Sequence, residues 1–294
     1  MPQPNNSVTE RSEVARSDAT FGERIVAAGR ERGRLCVGID PHAQLLEAWG
    51  LDNTVDGLRT FTQTCVEAFA ETAAVVKPQV AFFERFGSQG FAVLERALAD
   101  LRDAGCLTIA DAKRGDIGST MAGYADAWLG ETSPLRADSV TVSPYLGIGA
   151  LAPVFETAER VGGGVFVLAA TSNPEAVDLQ SITDSDGRTI AQRMVDEAAT
   201  YNAPHTAAGR PGNVGVVVGA TLAHPPVLDA LGGPVLLPGV GAQGASASDV
   251  LAMTQAAPEL GFANVSRSVL RQGPSVDALR DAVRNQAAEF SAQT

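Results

Sequence analysis

Two lysines stand out in a chain of 294 residues whose other 20 basic side chains are all arginines. One of them, Lys113, lies in the stretch ADAKRGDIGST, two residues after Asp111 and three before Asp116. An ammonium group can donate a proton and recover it, whereas a guanidinium hardly ever gives one up. A lysine kept at this position therefore indicates a site that needs a point charge or a transferable proton.

The flanking aspartates suggest what that proton is for. Residues two apart on an extended strand point to the same side, so Asp111 and Lys113 are expected to face one site. Two carboxylates about 4 Å apart repel by roughly 4 kcal/mol at an effective dielectric near 20, and an ammonium between them removes that repulsion. Such a site suits the loss of carbon dioxide from a substrate carboxylate, with Lys113 protonating the carbanion that remains. The alternative is that these residues only form structural ion pairs.

Short apolar runs alternate with helix-length segments along the chain and must position these side chains. Apolar runs with no alternation are typical of a parallel sheet that is buried on both faces. Eight such units predict an α/β fold, a (β/α)8 barrel in a single domain, whose site lies at the carboxyl ends of the strands. An open doubly wound sheet is the second architecture, and no G-x-G-x-x-G follows the first strand to support it. The strand candidates are LCVGID, AVVKP, LTIAD, SVTVS, GVFVLAA, VGVVVG, VLLPG and FANV, and the helix-length segments are 55–73, 88–104, 118–130, 147–160, 188–201 and 246–257.

The barrel interpretation predicts that functional side chains cluster at strand ends. They do in the sequence, at the ends of the first, second, third and fifth strands: Asp40, Lys77, Asp111 with Lys113 and Asp116, and Thr171 with Ser172. After the seventh and eighth strands come PGVGAQG and NVSRS, where such barrels usually bind phosphate through backbone amides and an arginine. Gln243 and Arg267 are therefore the expected phosphate ligands. The segment Asn173–Gly187 is long for a connection and is expected to be a lid or a surface insertion.

Charge and composition restrict the partners. A formal net charge of -12 argues against nucleic acid and anionic membranes, which need a positive face. Cys36, Cys65 and Cys106 are widely spaced among apolar residues, which favours reduced core cysteines and a cytoplasmic location. Residues 1–20 are polar and are expected to form a flexible arm, followed by the barrel domain at 21–294. A first helix is expected to begin at Thr20, which has Glu23 at capping-box spacing.

In these motifs the chain resembles the orotidine 5′-phosphate decarboxylase family, in the bacterial subgroup with the motif DAKRGDIGxT. The resemblance covers about Leu35 to Leu270 through GIDPH, VKPQVAFFERFG, DAKRGDIGST, TSNP, PGVGAQG and SRS, in the family's order. It implies decarboxylation of orotidine 5′-phosphate to uridine 5′-phosphate without metal or cofactor, in the last step of pyrimidine synthesis. Ser266 stands where other members of the family are expected to have glycine.

The resemblance also implies a role for each matching residue. Lys113 would be the proton donor, and Asp111 would lie beside the substrate carboxylate. Lys77 and Asp40 would hold the ribose hydroxyls. Ser172 would bind the pyrimidine ring. The phosphate would be bound by Pro238, Gln243 and Arg267. Asp116 and Thr120 would reach into the partner subunit's site, which implies a homodimer with shared active sites.

Two other functions remain open at this point. A magnesium-dependent sugar-phosphate decarboxylase or aldolase of the same barrel type would place an acidic metal ligand at the end of the second strand, where this chain has Lys77. A non-catalytic nucleotide-binding barrel would keep the phosphate site but would have no need of Lys113 and its two carboxylates. His42, His205 and His224 lack metal-ligand spacing, so no metal site is predicted.

Overall fold

The eight apolar runs form eight parallel strands in the computed structural model, which describes residues 19–241 and 244–291. Each strand pairs with the next along the chain, and β8 pairs with β1 to close the barrel. The (β/α)8 fold predicted from the sequence is therefore confirmed. The strands are β1 (Leu35–Ile39), β2 (Val75–Pro78), β3 (Leu107–Arg114), β4 (Ser139–Val142), β5 (Gly164–Ala170), β6 (Val214–Val218), β7 (Val235–Pro238) and β8 (Gly261–Val265).

Helices surround the strands. The predicted helix segments all contain helix, although the residues 70–73 and 254–257 at the ends of two segments do not. The segment 173–187 is not a plain loop, since it holds a 3-10 turn at Pro174–Ala176 followed by a short helix. The α-helices are α1 (Phe21–Arg32), α2 (Ala43–Ala48), α3 (Val55–Phe69), α4 (Ala81–Glu84), α5 (Gly87–Asp103), α6 (Gly118–Leu129), α7 (Ala152–Val161), α8 (Val177–Gln180), α9 (Ile190–Ala207), α10 (Ala247–Met253), α11 (Arg267–Leu270) and α12 (Val276–Ser291).

Helix α1 closes the amino-terminal end of the barrel. Its predicted capping box is present, with the Thr20 hydroxyl accepting from the Glu23 amide and the Glu23 carboxylate accepting from the Thr20 amide. The Phe21 ring is fully buried and meets the Phe166 ring edge-on at a centroid distance of 6.0 Å. Gly164 at the start of β5 is required here, because a Cβ on it would lie 2.2 Å from the Phe21 ring. Phe21 thus fills the floor of the barrel.

The three cysteines are free and buried, as the sequence predicted. Burial raises the pKa of the Cys36 and Cys106 thiols to about 12, so both stay protonated at neutral pH. None of the helices in the two described ranges has the length and apolar character needed to cross a membrane. Residues 1–18, most of the predicted arm, lie outside the described residues.

Candidate active site

A cavity of about 290 Å³ opens at the carboxyl ends of the strands. Six of the ten residues proposed from the sequence line it: Asp40, Lys77, Asp111, Lys113, Pro238 and Arg267. Its floor is apolar and includes Val217 and Leu236, which belong to the same buried cluster as Phe21. The cavity therefore has a charged wall at the β1 to β3 ends, a basic residue at the β8 end, and an apolar floor.

Asp111 lies at the centre of the charged wall. Its Oδ2 accepts from Lys77 Nζ at 2.8 Å, and its Oδ1 accepts from Lys113 Nζ at 2.5 Å. The Thr141 hydroxyl donates to the same Oδ1 at 2.9 Å. Both lysines of the chain therefore bind one buried carboxylate.

Burial and mutual attraction oppose each other in this group. Burial alone would raise the pKa of Asp111, but the Lys77 and Lys113 ammonium groups outweigh it and hold that pKa well below its usual range. Burial likewise disfavours a charge on Lys77, yet Asp111 and Asp40 raise the pKa of that amine above its usual value. At neutral pH the wall therefore presents ionised groups of both signs to whatever enters the cavity.

The end of β3 is not the regular extended strand that the sequence pattern predicted. Ala110 pairs with Val140 of β4 and Arg114 pairs with Val142, so three residues of β3 stand opposite Thr141 alone. Within this bulge Lys113 has a φ of 48°, and it is the one non-glycine residue in the described ranges with positive φ. Asp111 and Lys113 face the same cavity, as predicted, but a bulge brings them there rather than simple alternation. Bulges beside active sites commonly re-aim a side chain in this way.

Arg114, next to Lys113, does not line the cavity. Its guanidinium forms an ion pair with Glu84 and lies 5.7 Å from the ring centroids of Tyr124 and Trp128. These contacts fix the far end of the bulge against α4 and α6. Lys113 therefore belongs to the cavity, whereas Arg114 holds the bulge against the helices behind it.

The opposite side of the cavity is formed by the ends of β7 and β8. Pro238 ends β7, Gly239 and Gly241 follow with φ values of 105° and 71°, and Arg267 begins α11. Ser266 lines the cavity, and a Cβ on Gly38 would lie only 2.0 Å from its Oγ, so Gly38 of β1 makes room for this hydroxyl. Gln243, the other expected phosphate ligand, lies outside the described residues.

Asp40, at the end of β1, has a carboxylate with an open hydrogen-bonding position. Its Oδ1 is buried and has no hydrogen-bond partner within residues 19–241 and 244–291. A buried carboxylate oxygen without a donor is costly, because it has lost water and gained nothing in return. A hydroxyl group of a ligand in the cavity would supply that donor.

Three of the proposed residues do not line the cavity of their own chain. Asp116 is half-buried after β3, with its Oδ1 accepting from the Ile117 amide at 2.8 Å. Thr120 is exposed on α6, and Ser172 is exposed after β5. Thr171, rather than Ser172, lines the cavity from that strand.

Three further polar residues line the cavity, and the sequence patterns assigned no function to them. Gln79 accepts from Lys77 Nζ at 3.3 Å, Asn264 donates to the Cys36 carbonyl at 3.2 Å, and Thr141 binds Asp111. Each is a polar residue at or near a strand end, which is the signal that identified Lys77 and Asp111. No group of three or more histidine, cysteine, aspartate or glutamate side chains suited to a metal ion occurs in the part of the chain that the structure describes.

The fold and this cavity define the class: a (β/α)8-barrel protein with a charged ligand site at the carboxyl ends of its strands. The family model described as "Orotidine 5'-phosphate decarboxylase / HUMPS family" matches residues 33–282. The chain belongs to this family, as its motifs predicted.

Individual relatives are similar over nearly the whole chain. An orotidine 5′-phosphate decarboxylase from Corynebacterium glutamicum is 60% identical over 271 residues, which are 92% of this chain and 98% of the relative. One from Corynebacterium efficiens is 62% identical over 92% of this chain and 97% of its own length. The solved structure of a candidate orotidine 5′-phosphate decarboxylase from Streptomyces avermitilis superposes with a TM-score of 0.89 at 52% identity, covering 93% of this chain and 95% of that one. Leishmania donovani OMP decarboxylase gives a TM-score of 0.71 at 32% identity, covering 91% and 96%.

Proposed function

We propose that this chain decarboxylates orotidine 5′-phosphate to uridine 5′-phosphate, the last step of pyrimidine nucleotide synthesis, with Lys113 as the proton donor. The observation that carries the proposal is the hydrogen-bonded group of Lys77, Asp111 and Lys113 in one cavity that also contains Arg267. Relatives at 60–62% identity that carry the name of this enzyme support the same activity.

Lys113 and Asp111 would divide the chemistry between them. The bond between the pyrimidine ring and its carboxylate breaks, its electron pair stays on the ring carbon, and carbon dioxide leaves. Lys113 Nζ–H then protonates that carbon, and the amine recovers a proton from solvent. Asp111, held ionised by two lysines, would repel the substrate carboxylate but not the neutral product gas. This repulsion is relieved as the transition state forms, so it favours the reaction.

The remaining residues would bind the nucleotide. Asp40 and Lys77 would hold the ribose hydroxyls. The buried Asp40 Oδ1, which has no donor among the described residues, supports that role for Asp40. Pro238, Arg267 and Gln243 would surround the phosphate, and Ser172 would contact the pyrimidine ring, next to Thr171 in the cavity wall. Arginine suits this position because its planar fork matches phosphate oxygens.

We expect turnover to survive a strong chelator unchanged. Lys77 occupies the end of β2. Its ammonium group has no lone pair and therefore cannot ligate a cation. The measurement is the loss of orotate-ring absorbance when orotidine 5′-phosphate is mixed with protein in excess EDTA. Activity that disappears in EDTA and returns with magnesium would assign the chain to the sugar-phosphate branch of these barrels. Binding of the nucleotide without any absorbance loss would make it a non-catalytic binding protein.

Arg267→Ala is expected to lower kcat/KM by about 10²- to 10³-fold, because a charged hydrogen bond to phosphate would be lost. If phosphate binding energy helps to assemble the site, phosphite or phosphate should alter the residual turnover of a substrate that lacks the phosphate group. Arg271→Ala is the matched control, since Arg271 is also exposed, four residues further on, and does not line the cavity. Unchanged kinetics in Arg267→Ala would place the phosphate site elsewhere.

The functional unit we propose is a homodimer in which each site uses Asp116 and Thr120 of the partner. Two observations support this proposal: neither residue lines its own chain's cavity, and large apolar side chains near them are exposed. Ile117 is 63% exposed and Tyr145 80% exposed, on the segments that follow the neighbouring strands β3 and β4. Buried, free cysteines support a cytoplasmic location for the enzyme.

A further inference from the structure

Thr141 connects the two residues on which the proposed chemistry depends. It lies on β4, lines the cavity, and is only 1% exposed. Its hydroxyl donates to Asp111 Oδ1 at 2.9 Å and accepts from the Lys113 backbone N–H at 3.0 Å. One side chain therefore holds the carboxylate and the backbone of the proton donor at the same time.

The β3 bulge explains why this contact is needed. Residues 111–113 stand opposite Thr141 alone, and Lys113 adopts a left-handed φ of 48° that few non-glycine residues tolerate. A backbone N–H in a bulge has lost its regular partner in the neighbouring strand. The Thr141 hydroxyl supplies the missing acceptor and so stabilises the unusual conformation.

We propose that Thr141 is a positioning residue that sets the aim of the Lys113 ammonium by fixing the bulge. The inference rests on the proposed function, because the expected effect of Thr141 is on the rate at which Lys113 delivers a proton to the substrate. Without the hydroxyl, the Lys113 N–H loses its acceptor and Asp111 Oδ1 loses one of its two donors. The bulge then relaxes toward ordinary strand geometry and moves Nζ away from the reacting carbon.

Two substitutions separate the hydroxyl from the volume of the side chain. Thr141→Val keeps the shape and removes both hydrogen bonds, whereas Thr141→Ser keeps the hydroxyl and removes a methyl group. We expect Thr141→Val to lower kcat by about 10- to 100-fold, with KM changed by less than about threefold, as for misplacement of a reacting group. Thr141→Ser should retain kcat within about threefold of the wild type, because the hydroxyl still fixes the geometry.

Thr108 provides a closely matched control at the other end of β3. It is also 1% exposed, and its hydroxyl donates to the Asp138 carboxylate at 3.1 Å and accepts from the Asp138 backbone N–H at 3.0 Å. Thr108→Val therefore removes the same two kinds of hydrogen bond, here between β3 and the residue that precedes β4, and away from the cavity. It should lower the melting temperature to a similar extent as Thr141→Val while leaving kcat unchanged.

The presence of only two lysines allows a second measurement that does not depend on turnover. Labelling with [15N]lysine gives two backbone amide signals, from Lys77 and Lys113. In Thr141→Val the Lys113 signal should shift and its hydrogen exchange should accelerate, while the Lys77 signal stays in place. Thr108→Val should move neither signal.

The outcomes distinguish this inference from the proposed function. A wild-type chain that does not decarboxylate orotidine 5′-phosphate would overturn the proposed function, and with it the catalytic consequence of Thr141. The Lys113 amide signal would still show whether the Thr141 hydroxyl stabilises the bulge, independently of turnover. In an active enzyme, the inference is overturned by a kcat in Thr141→Val within about threefold of wild type, by a Thr141→Ser as slow as Thr141→Val, or by a Thr108→Val that is equally slow.

Discussion

Lys113→Arg is expected to fold normally and to lose at least about 10³-fold in turnover, within the range that a positioned general acid contributes. The substitution keeps the positive charge beside Asp111, but a guanidinium does not give up a proton at neutral pH and its planar fork is wider than an ammonium. The measurement is kcat by absorbance, with circular dichroism and thermal melting to show that the barrel is intact.

Restoration of an amine provides the matched control. Lys113 has a side chain 44% exposed, whereas Cys36, Cys65 and Cys106 are buried. In Lys113→Cys, treatment of the folded protein with 2-bromoethylamine should therefore modify the new thiol, creating a lysine analogue, and recover much of the activity. The same treatment should leave the wild type unaffected. Near-normal turnover in Lys113→Arg would show that charge alone suffices, and the proton-donor role would be wrong.

The second large effect concerns the active site that we propose is shared between the two subunits of the dimer. Lys113→Ala and Asp116→Asn homodimers should each be nearly inactive, because every site in them contains one lesion. When the two variants are unfolded together and refolded, a mixed dimer should contain one site with both lesions and one with neither. Random pairing makes about half of the dimers mixed, so about one quarter of all sites should be intact. Activity should rise from near zero toward that fraction of the wild type.

A second pair of variants tests this interpretation. Asp111 and Lys113 line the cavity of the same chain, so mixed dimers of Asp111→Asn with Lys113→Ala have a lesion in every site and should stay inactive. If heterodimers of Lys113→Ala with Asp116→Asn are shown to form but remain as inactive as their parents, Asp116 acts within its own chain or outside catalysis.

Much of the fold could be predicted because its signals are local. The eight strands are apolar runs with nearly every residue buried, and their limits agree with the structure within about one residue at most ends. The exception is β3, which extends to Arg114 through the bulge. The start of α1 followed from Thr20 and Glu23, two side chains that satisfy each other's backbone amides. The rule that functional side chains of such barrels cluster at the carboxyl ends of the strands then predicted that Asp40, Lys77, Asp111 and Arg267 share one site, and all four line the cavity.

The parts of the site that could not be predicted depend on contacts between distant segments. Thr141 is one of two polar residues on the buried strand β4, and only the pairing of β3 with β4 places its hydroxyl against Asp111 and Lys113. A positive φ at Lys113 was also unpredictable, because the local sequence favours glycine for that conformation and a glycine stands two positions later. The short helices α2 and α4 lack a full amphipathic turn pattern, and they were missed for that reason.

The closed floor of the barrel has a consequence for the fate of the released gas. Phe21, Phe166 and Phe262 are fully buried in the cluster that also supplies Val217 and Leu236 to the base of the cavity. In the proposed reaction, carbon dioxide formed beside Asp111 would therefore leave by the same mouth through which the nucleotide enters. A bound nucleotide would block that mouth and keep the gas near the carbanion, so recombination would compete with protonation. If Lys113 is the proton donor, the rate of proton delivery would then decide which fraction of the cleaved bonds becomes product and which fraction forms again.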